Sequence, residues 1–240
     1  MNKFSFTDTR ISYANVKEYL ELVWINLGVQ VRSFIECLRV AIHYYSNLSF
    51  AKVDLFLLIS YLFQNPFTIS KRFLQKKGEK DVYAYGETPL TSLDMITKEC
   101  KVSAKDTVFE LGCGRGRTCF WLHSIIGCKV VGIEYVPEFV ERSNAIKDKF
   151  EIKNIEFRQE DMLNANYSGA TVVYLYGTCL DDPSILKIVD KCKALPAGTK
   201  IITISYPLTD YTDQPVFEVM KRFPARFTWG LADVYLQIRK

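Results

Sequence analysis

The hydrophobic pattern divides the chain into two textures. Apolar residues recur at Val16, Leu20, Val23, Leu27, Val31, Phe34, Leu38, Ala41 and Tyr45, mostly in steps of three and four. Such a stripe predicts one long helix, with Asn15 placed to cap it and Gly28 placed to kink or divide it. A second helix fits 51–63. A third opens at Pro66, a residue suited to a first helical turn, and runs into FTISKRFLQKKGEK. From residue 85 onward the stripe gives way to short β-rich runs near 106–111, 129–134, 154–159, 171–176, 199–205, 216–223 and 232–239. Helices fit 89–101, 115–126, 137–150 and 182–194. Alternation of this kind builds βαβ units, and hence an α/β fold with a doubly wound, mainly parallel seven-stranded sheet covered on both faces. The last two runs are joined by PARFTWGL with no clear helix between them, so they read as a hairpin at the sheet edge. The expected organisation is a helical extension over 1–80 and an α/β domain over 81–240.

Composition changes this picture little. With 240 residues, 48% of them hydrophobic, the chain is long enough to bury roughly 70% of its unfolded surface and needs no disulfide or metal staple. A net charge of +4 is mild and does not by itself imply nucleic acid. The seven cysteines are odd in number and none stands at C-x-x-C spacing, so neither a metal site nor a disulfide framework is expected. Cys113, Cys119, Cys128 and Cys179 fall in or beside predicted core elements, as free thiols of a reducing compartment do. MNKFSFTDTR has no apolar h-region, and the longest uncharged run, LFLLISYLFQNPFTIS, is shorter than the ~20 apolar residues of a spanning helix. The expected location is cytoplasmic, with peripheral membrane contact as an alternative. The basic run Lys71, Arg72, Lys76, Lys77 and Lys80 reads as a solvated helix face, a substrate-docking patch or an anionic membrane contact.

The chemistry gathers at FELGCGRG, residues 109–116, where Gly112, Gly114 and Gly116 leave the first strand and open a helix. A dinucleotide fingerprint needs its third glycine at position 117, which is Arg117, and a phosphate P-loop needs G-K-[ST], which is absent. The spacing E-L-G-C-G-R-G, with Glu110 leading and Cys113 inside the turn, resembles motif I of class I S-adenosylmethionine-dependent methyltransferases. These have a Rossmann-like fold. Glycines let the backbone pass close to a methionine moiety without Cβ clashes, and Glu110 is placed to offer a carboxylate toward its amino group. The second strand ends at Glu134 and Tyr135; Glu134 lies 22 residues past Gly112, where an acid takes ribose hydroxyls. The third ends in RQEDML, where Asp161 suits the adenine amino group and Met162 the ring. His43 and His123 both lie in helical stretches, so a histidine-based triad is unsupported.

Upstream, Tyr85-Gly86-Glu87-Thr88 resembles the Y-G-E-[TV] loop of the disruptor-of-telomeric-silencing family of histone-lysine methyltransferases. The resemblance covers about residues 82–240. It implies that this loop folds over the cofactor, with Glu87 and Thr88 on its amino acid part. It further implies that Trp229 and Tyr235 wall a lysine channel. Where that family has a pair of asparagines after its fourth strand, this chain has Tyr176 and Gly177. Tyr176 joins Trp229 and Tyr235 as a candidate wall of the acceptor site. Three readings stand: methylation of a protein, most naturally a lysine; methylation of a small or lipophilic molecule; and a non-catalytic cofactor-binding module that dimerises through its N-terminal helices. A lipophilic acceptor predicts an enclosed apolar cavity, and a protein acceptor predicts an open groove with carboxylates such as Asp181, Asp182, Asp210 and Asp213 at its mouth. Nucleic acid is disfavoured, because YGTCLDDP replaces the N/D-P-P-[YF] motif of base methyltransferases.

Overall fold

The structure, a computed structural model, describes residues 13–79 and 81–240, with side chains omitted for 13–22, 25 and 26. The side chains of Asn15, Val16 and Leu20, the segment MNKFSFTDTR, and Lys80 of the basic run lie outside the described residues.

Seven strands form one sheet: β1 (Thr107–Leu111), β2 (Lys129–Glu134), β3 (Ile155–Gln159), β4 (Val172–Leu175), β5 (Lys200–Ile204), β6 (Phe217–Phe227) and β7 (Gly230–Arg239). Their spatial order is β3-β2-β1-β4-β5-β7-β6. The first five are parallel; β7 runs antiparallel to both β5 and β6. The order reverses between β1 and β4, the place where ligands enter open α/β sheets. Central strands rich in Val, Ile and Leu are buried on both faces, as crossover helices require. Because side chains alternate, Val108, Val130 and Val172 face one core and Phe109, Val131 and Val173 the other.

Helices α1 (Tyr13–Tyr44), α2 (Leu48–Ser60), α3 (Pro66–Lys77), α4 (Leu90–Glu99), α5 (Arg117–Trp121), α6 (Pro137–Lys149) and α7 (Asp182–Lys193) complete the fold. The second core lies under α7, and the first gathers the other helices. Phe50, Val53 and Leu57 of α2 are packed with Trp121 and Phe139 in the first core. The stretch from Val40 to Ile69 thus packs into the same core as the sheet. The Asn47 side chain caps α2 by accepting from Phe50 N at 3.0 Å, and its amide donates to Ser124 O at 2.9 Å. Asn65 caps α3 ahead of Pro66, and Gly78, left-handed at φ 74°, ends it.

Three expectations are corrected. Helix α1 runs unbroken through Gly28. Its predicted stripe faces outward: Val23, Leu27, Val31, Phe34 and Leu38 are 45–64% exposed, while Val40 and Tyr44 reach the core. The helix near 115–126 changes after Trp121 into a π-helical turn over Leu122–Ile126. Finally, PARFTWGL is mostly strand. Pro224 sits within β6 because that strand is the sheet edge, where a missing N–H breaks no ladder, and only Thr228 and Trp229 make the turn.

Candidate active site

A cavity of about 680 Å³ opens at the carboxyl ends of β1 to β4, within the usual size range of small-molecule sites. Gly112 and Gly114 line it from the loop after β1, Glu134 and Tyr135 from β2, and Asp161 and Met162 from β3. Tyr176 enters from β4, and Tyr85 and Gly86 from the segment ahead of α4. Ser70 and Leu74 of α3 close the remaining side.

The glycine loop needs its glycines for two reasons. Gly114 has φ +55°, and a Cβ there would stand 3.0 Å from the Tyr85 ring. Gly116 opens α5 at φ +73°, and a Cβ there would meet Phe157 at 2.6 Å. Gly114 therefore shapes the cavity, and Gly116 lets the helix pack on β3. Glu134 is held by the loop itself: Oε2 accepts from Gly114 N at 2.7 Å and Oε1 from Val136 N at 2.8 Å. Burial pushes its carboxyl above the usual range, against the pull of these backbone donors. A carboxylate has about four lone-pair positions, so sites remain for a pair of ribose hydroxyls. Asp161 accepts from Leu163 N at 2.9 Å and from the Asn164 amide at 2.8 Å, which orients it at the end of β3.

The other sequence-predicted residues do not line the cavity. Glu110 lies beneath the loop, accepting from Thr118 Oγ1 at 2.5 Å and Cys119 Sγ at 3.0 Å. Burial pushes it up to about 7, those donors pull it down, and the Glu134 and Glu87 charges add to the rise. Cys113 is buried, with its Sγ turned toward Gly132. Thr88 bonds the Tyr174 hydroxyl at 2.6 Å inside the core. Glu87 pairs with Arg115, whose Nη2 donates to Oε2 at 2.8 Å, and accepts a further bond from the Tyr85 hydroxyl. Burial alone would raise the Glu87 pKa, but the Arg115 charge and hydrogen bond outweigh it and hold the carboxyl below its usual range.

Tyr235 is a correction. Strand alternation turns Val234 toward the first core, so Tyr235 points to the opposite face, where the Arg222 guanidinium covers its ring. Phe227 replaces it, stacked on Trp229 at 5.7 Å and lying 5.3 Å from the Tyr176 ring. Trp229 Nε1 donates to the Tyr176 hydroxyl at 2.6 Å. Tyr176 alone of these lines the cavity, and Phe227 and Trp229 extend the ring cluster away from it. Phe227 was hidden in sequence because it read as part of a connecting loop. Cys179, expected near the core, is exposed and lines the cavity.

Fold and strand-end site together define a class I, seven-strand S-adenosylmethionine-dependent methyltransferase domain, and S-adenosyl-L-methionine is the cofactor its site takes. Residues 110–215 match the model of the ANTKMT methyltransferase domain family. The chain is 24% identical over 156 residues to a Dictyostelium discoideum histone-lysine N-methyltransferase, H3 lysine-79 specific. That match takes in 59% of this chain but only 8% of the much longer relative. Among solved structures, an RNA methyltransferase from Salinibacter ruber in complex with S-adenosyl-L-homocysteine superposes with a TM-score of 0.52 at 24% identity, covering 64% of this chain and 93% of the other. Geranyl diphosphate C-methyltransferase from Streptomyces coelicolor A3(2) gives 0.52 at 12% identity, covering 63% and 79%. The acceptors named for these relatives differ, so the shared fold leaves the acceptor to the residues of the cavity.

Proposed function

We propose that the chain methylates the side-chain amine of a protein lysine. One observation carries this reading. Glu79, Asp81, Glu134, Glu160, Asp161 and Asp181 line the cavity, and among the described residues no Lys, Arg or His does. A site so biased attracts a cation and repels a phosphate-bearing acceptor. Both a sulfonium cofactor and an approaching lysine are cationic, whereas RNA and a prenyl diphosphate are polyanionic. The naming of the Dictyostelium relative for H3 lysine-79 supports the same reading.

S-adenosyl-L-methionine supplies an activated methyl group on a sulfonium. The protein's part is to orient the amine and to favour its neutral form. Tyr176, backed by Phe227 and Trp229, presents an aromatic, largely apolar wall, which attracts the ammonium by cation–π contact and then disfavours its charge as water is excluded. Burial also keeps the Tyr176 phenol above its ordinary pKa, so it stays neutral and able to donate. Proximity and orientation are sufficient for methyl transfer to a neutral amine, without an obligatory general base.

Exposed apolar residues support a second element of the proposal, peripheral contact with a membrane from the cytoplasmic side. Phe63 is 94% exposed at the α2–α3 corner, where Ile59, Leu62 and Phe67 are exposed too, and α1 carries an outward apolar stripe of its own. No described helix is long and apolar enough to cross a membrane. A homodimer through α1 is the competing use of that stripe.

The test of the acceptor is transfer of tritium from labelled S-adenosylmethionine into an extract, followed by hydrolysis of the protein fraction. Label co-migrating with a methyllysine is the expected result. Label confined to the lipid extract, to RNA or to small molecules defeats the lysine reading.

A further inference from the structure

We infer that Tyr206 is a positioning residue for methyl transfer, its hydroxyl acting through Gly177 to hold the stretch of cavity wall against which the acceptor lies. This rests on the methyltransferase class of the domain and not on which acceptor is methylated. Residues 176–181 all line the cavity, the longest unbroken stretch to do so. They follow Leu175 at the end of β4 and precede Asp182 at the start of α7, so neither a strand ladder nor a helix fixes them. Glu134 and Asp161 stand on the β2 and β3 side of β1, and the stretch after β4 stands on the other side, which leaves it to the acceptor. Tyr206 is not part of the cavity lining and reaches it through the main chain of Gly177, which is.

The stretch turns on itself, with Thr178 N donating to Tyr176 O at 2.6 Å and Leu180 N to Gly177 O at 3.2 Å. Gly177 has the widest backbone freedom of any residue type and no side chain to limit it. The Tyr206 hydroxyl supplies the limit from 29 positions away, donating to Gly177 O at 3.0 Å. Burial keeps that phenol above its ordinary pKa, so the donated proton stays in place. Tyr206 is in turn clamped from beneath. Thr203 of β5 and Gln237 of β7 are polar side chains with no exposure, set beside the apolar Ile201, Ile202 and Ile204. The Thr203 hydroxyl donates to Tyr206 O, the Gln237 amide donates to Thr203 Oγ1 at 3.1 Å, and Gln237 Oε1 accepts from Leu208 N at 2.7 Å. Bonded in this way, the buried pair stiffens the turn after β5. Within that turn Ser205 holds a left-handed φ of 74°, which a residue with a Cβ keeps only where its surroundings impose it. Backbone strain and a buried polar clamp thus converge on the one tyrosine that reaches the wall after β4.

Tyr206→Phe in the full chain removes one oxygen and keeps the ring against Tyr211, edge-on at 5.6 Å. The rate of tritium transfer from saturating labelled S-adenosylmethionine into an extract, counted over protein, RNA, lipid and small-molecule fractions together, should fall about 10- to 100-fold, as misplacement of a reacting group causes. The calorimetric affinity for S-adenosylhomocysteine should stay that of wild type, because the cofactor side of the cavity is untouched. A merely structural hydroxyl would move both measurements or neither. Thr203→Val, which frees the Tyr206 carbonyl, should slow transfer as well, and the double variant should be no slower than the slower single one. Thr203→Ser, which keeps a hydroxyl, should recover most of the rate that Thr203→Val loses. If Tyr206→Phe leaves too little folded protein, the two Thr203 variants decide in its place. A wild-type rate in folded Tyr206→Phe, additive losses in the double variant, or equal losses of rate and of S-adenosylhomocysteine affinity overturn the proposal. No transfer to any fraction by folded wild type overturns the methyltransferase reading beneath it.

Discussion

The site's acids are sorted by what surrounds each one. Glu134, Asp161 and Glu110 all stand on strands or strand ends, yet only the first two open on the cavity. Glu110 is sealed under the loop at 5% exposure, where burial holds its proton up to about 7. The sign of the resulting pH dependence follows from linkage. In the unfolded chain a glutamate loses its proton near 4.3, so between there and about 7 the folded state binds the extra proton. Stability is therefore fullest below the unfolded value and falls as pH rises through that window, by about 4 kcal/mol at most. Glu110→Gln has no proton to lose. Melting temperatures measured from pH 4.5 to 8 should decline for wild type more steeply than for the variant, and parallel curves would show that Glu110 is ionised throughout. The two roles of these acids were only half legible in sequence, because strand alternation and the strand's end both had to be known to the residue.

At the level of elements, the parallel strands were legible because a strand buried on both faces must be a continuous apolar run, and runs such as VVGI and IITI have no other use. Which face of an amphipathic helix finds a partner is a tertiary fact, so the apolar stripe of α1 pointed to the wrong side. The anchoring of α2 was equally hidden. Arg117, at the place where a dinucleotide loop would have glycine, reaches 63 positions back to Asp54: Nε donates to Oδ1 at 2.7 Å and Nη2 to Oδ2 at 2.8 Å. The Tyr45 hydroxyl adds a bond at 2.9 Å, and the Asp54 side chain is fully buried. This fork ties α2 to the first residue of the helix that carries the cofactor loop. Asp54→Asn leaves a buried guanidinium without its counter-charge, which costs about 3–5 kcal/mol and should lower the melting temperature by roughly 6–20 °C. Calorimetry decides; a shift under about 2 °C would mean that the pair is replaced by solvent and that α2 is held by packing alone.

For the molecule as a whole, the boundary near residue 80 suggested by texture is not a boundary in the core. Phe50 and Leu57 are wholly buried and Val53 nearly so, each contributing about 1.5–3 kcal/mol, and the Asp54–Arg117 pair is added to them. Together these approach the 5–15 kcal/mol by which an ordinary domain is stable. A chain beginning at residue 81 should accordingly fail to fold cooperatively, although it contains every strand. A chain beginning at Ser33 should behave differently. It loses Val23, Trp24, Leu27 and Val31, which are 45–71% exposed and contribute little to the core, and keeps Val40 and Tyr44, which are buried. It should melt within a few degrees of the full chain and bind S-adenosylhomocysteine equally well. If the outward face of α1 serves a membrane, flotation with anionic phospholipid vesicles should fall in the shortened chain while its sedimentation remains that of the full-length species. If instead sedimentation drops from dimer to monomer and flotation is the same for both chains, the stripe belongs to a second copy, and the membrane reading is then confined to the Phe63 corner.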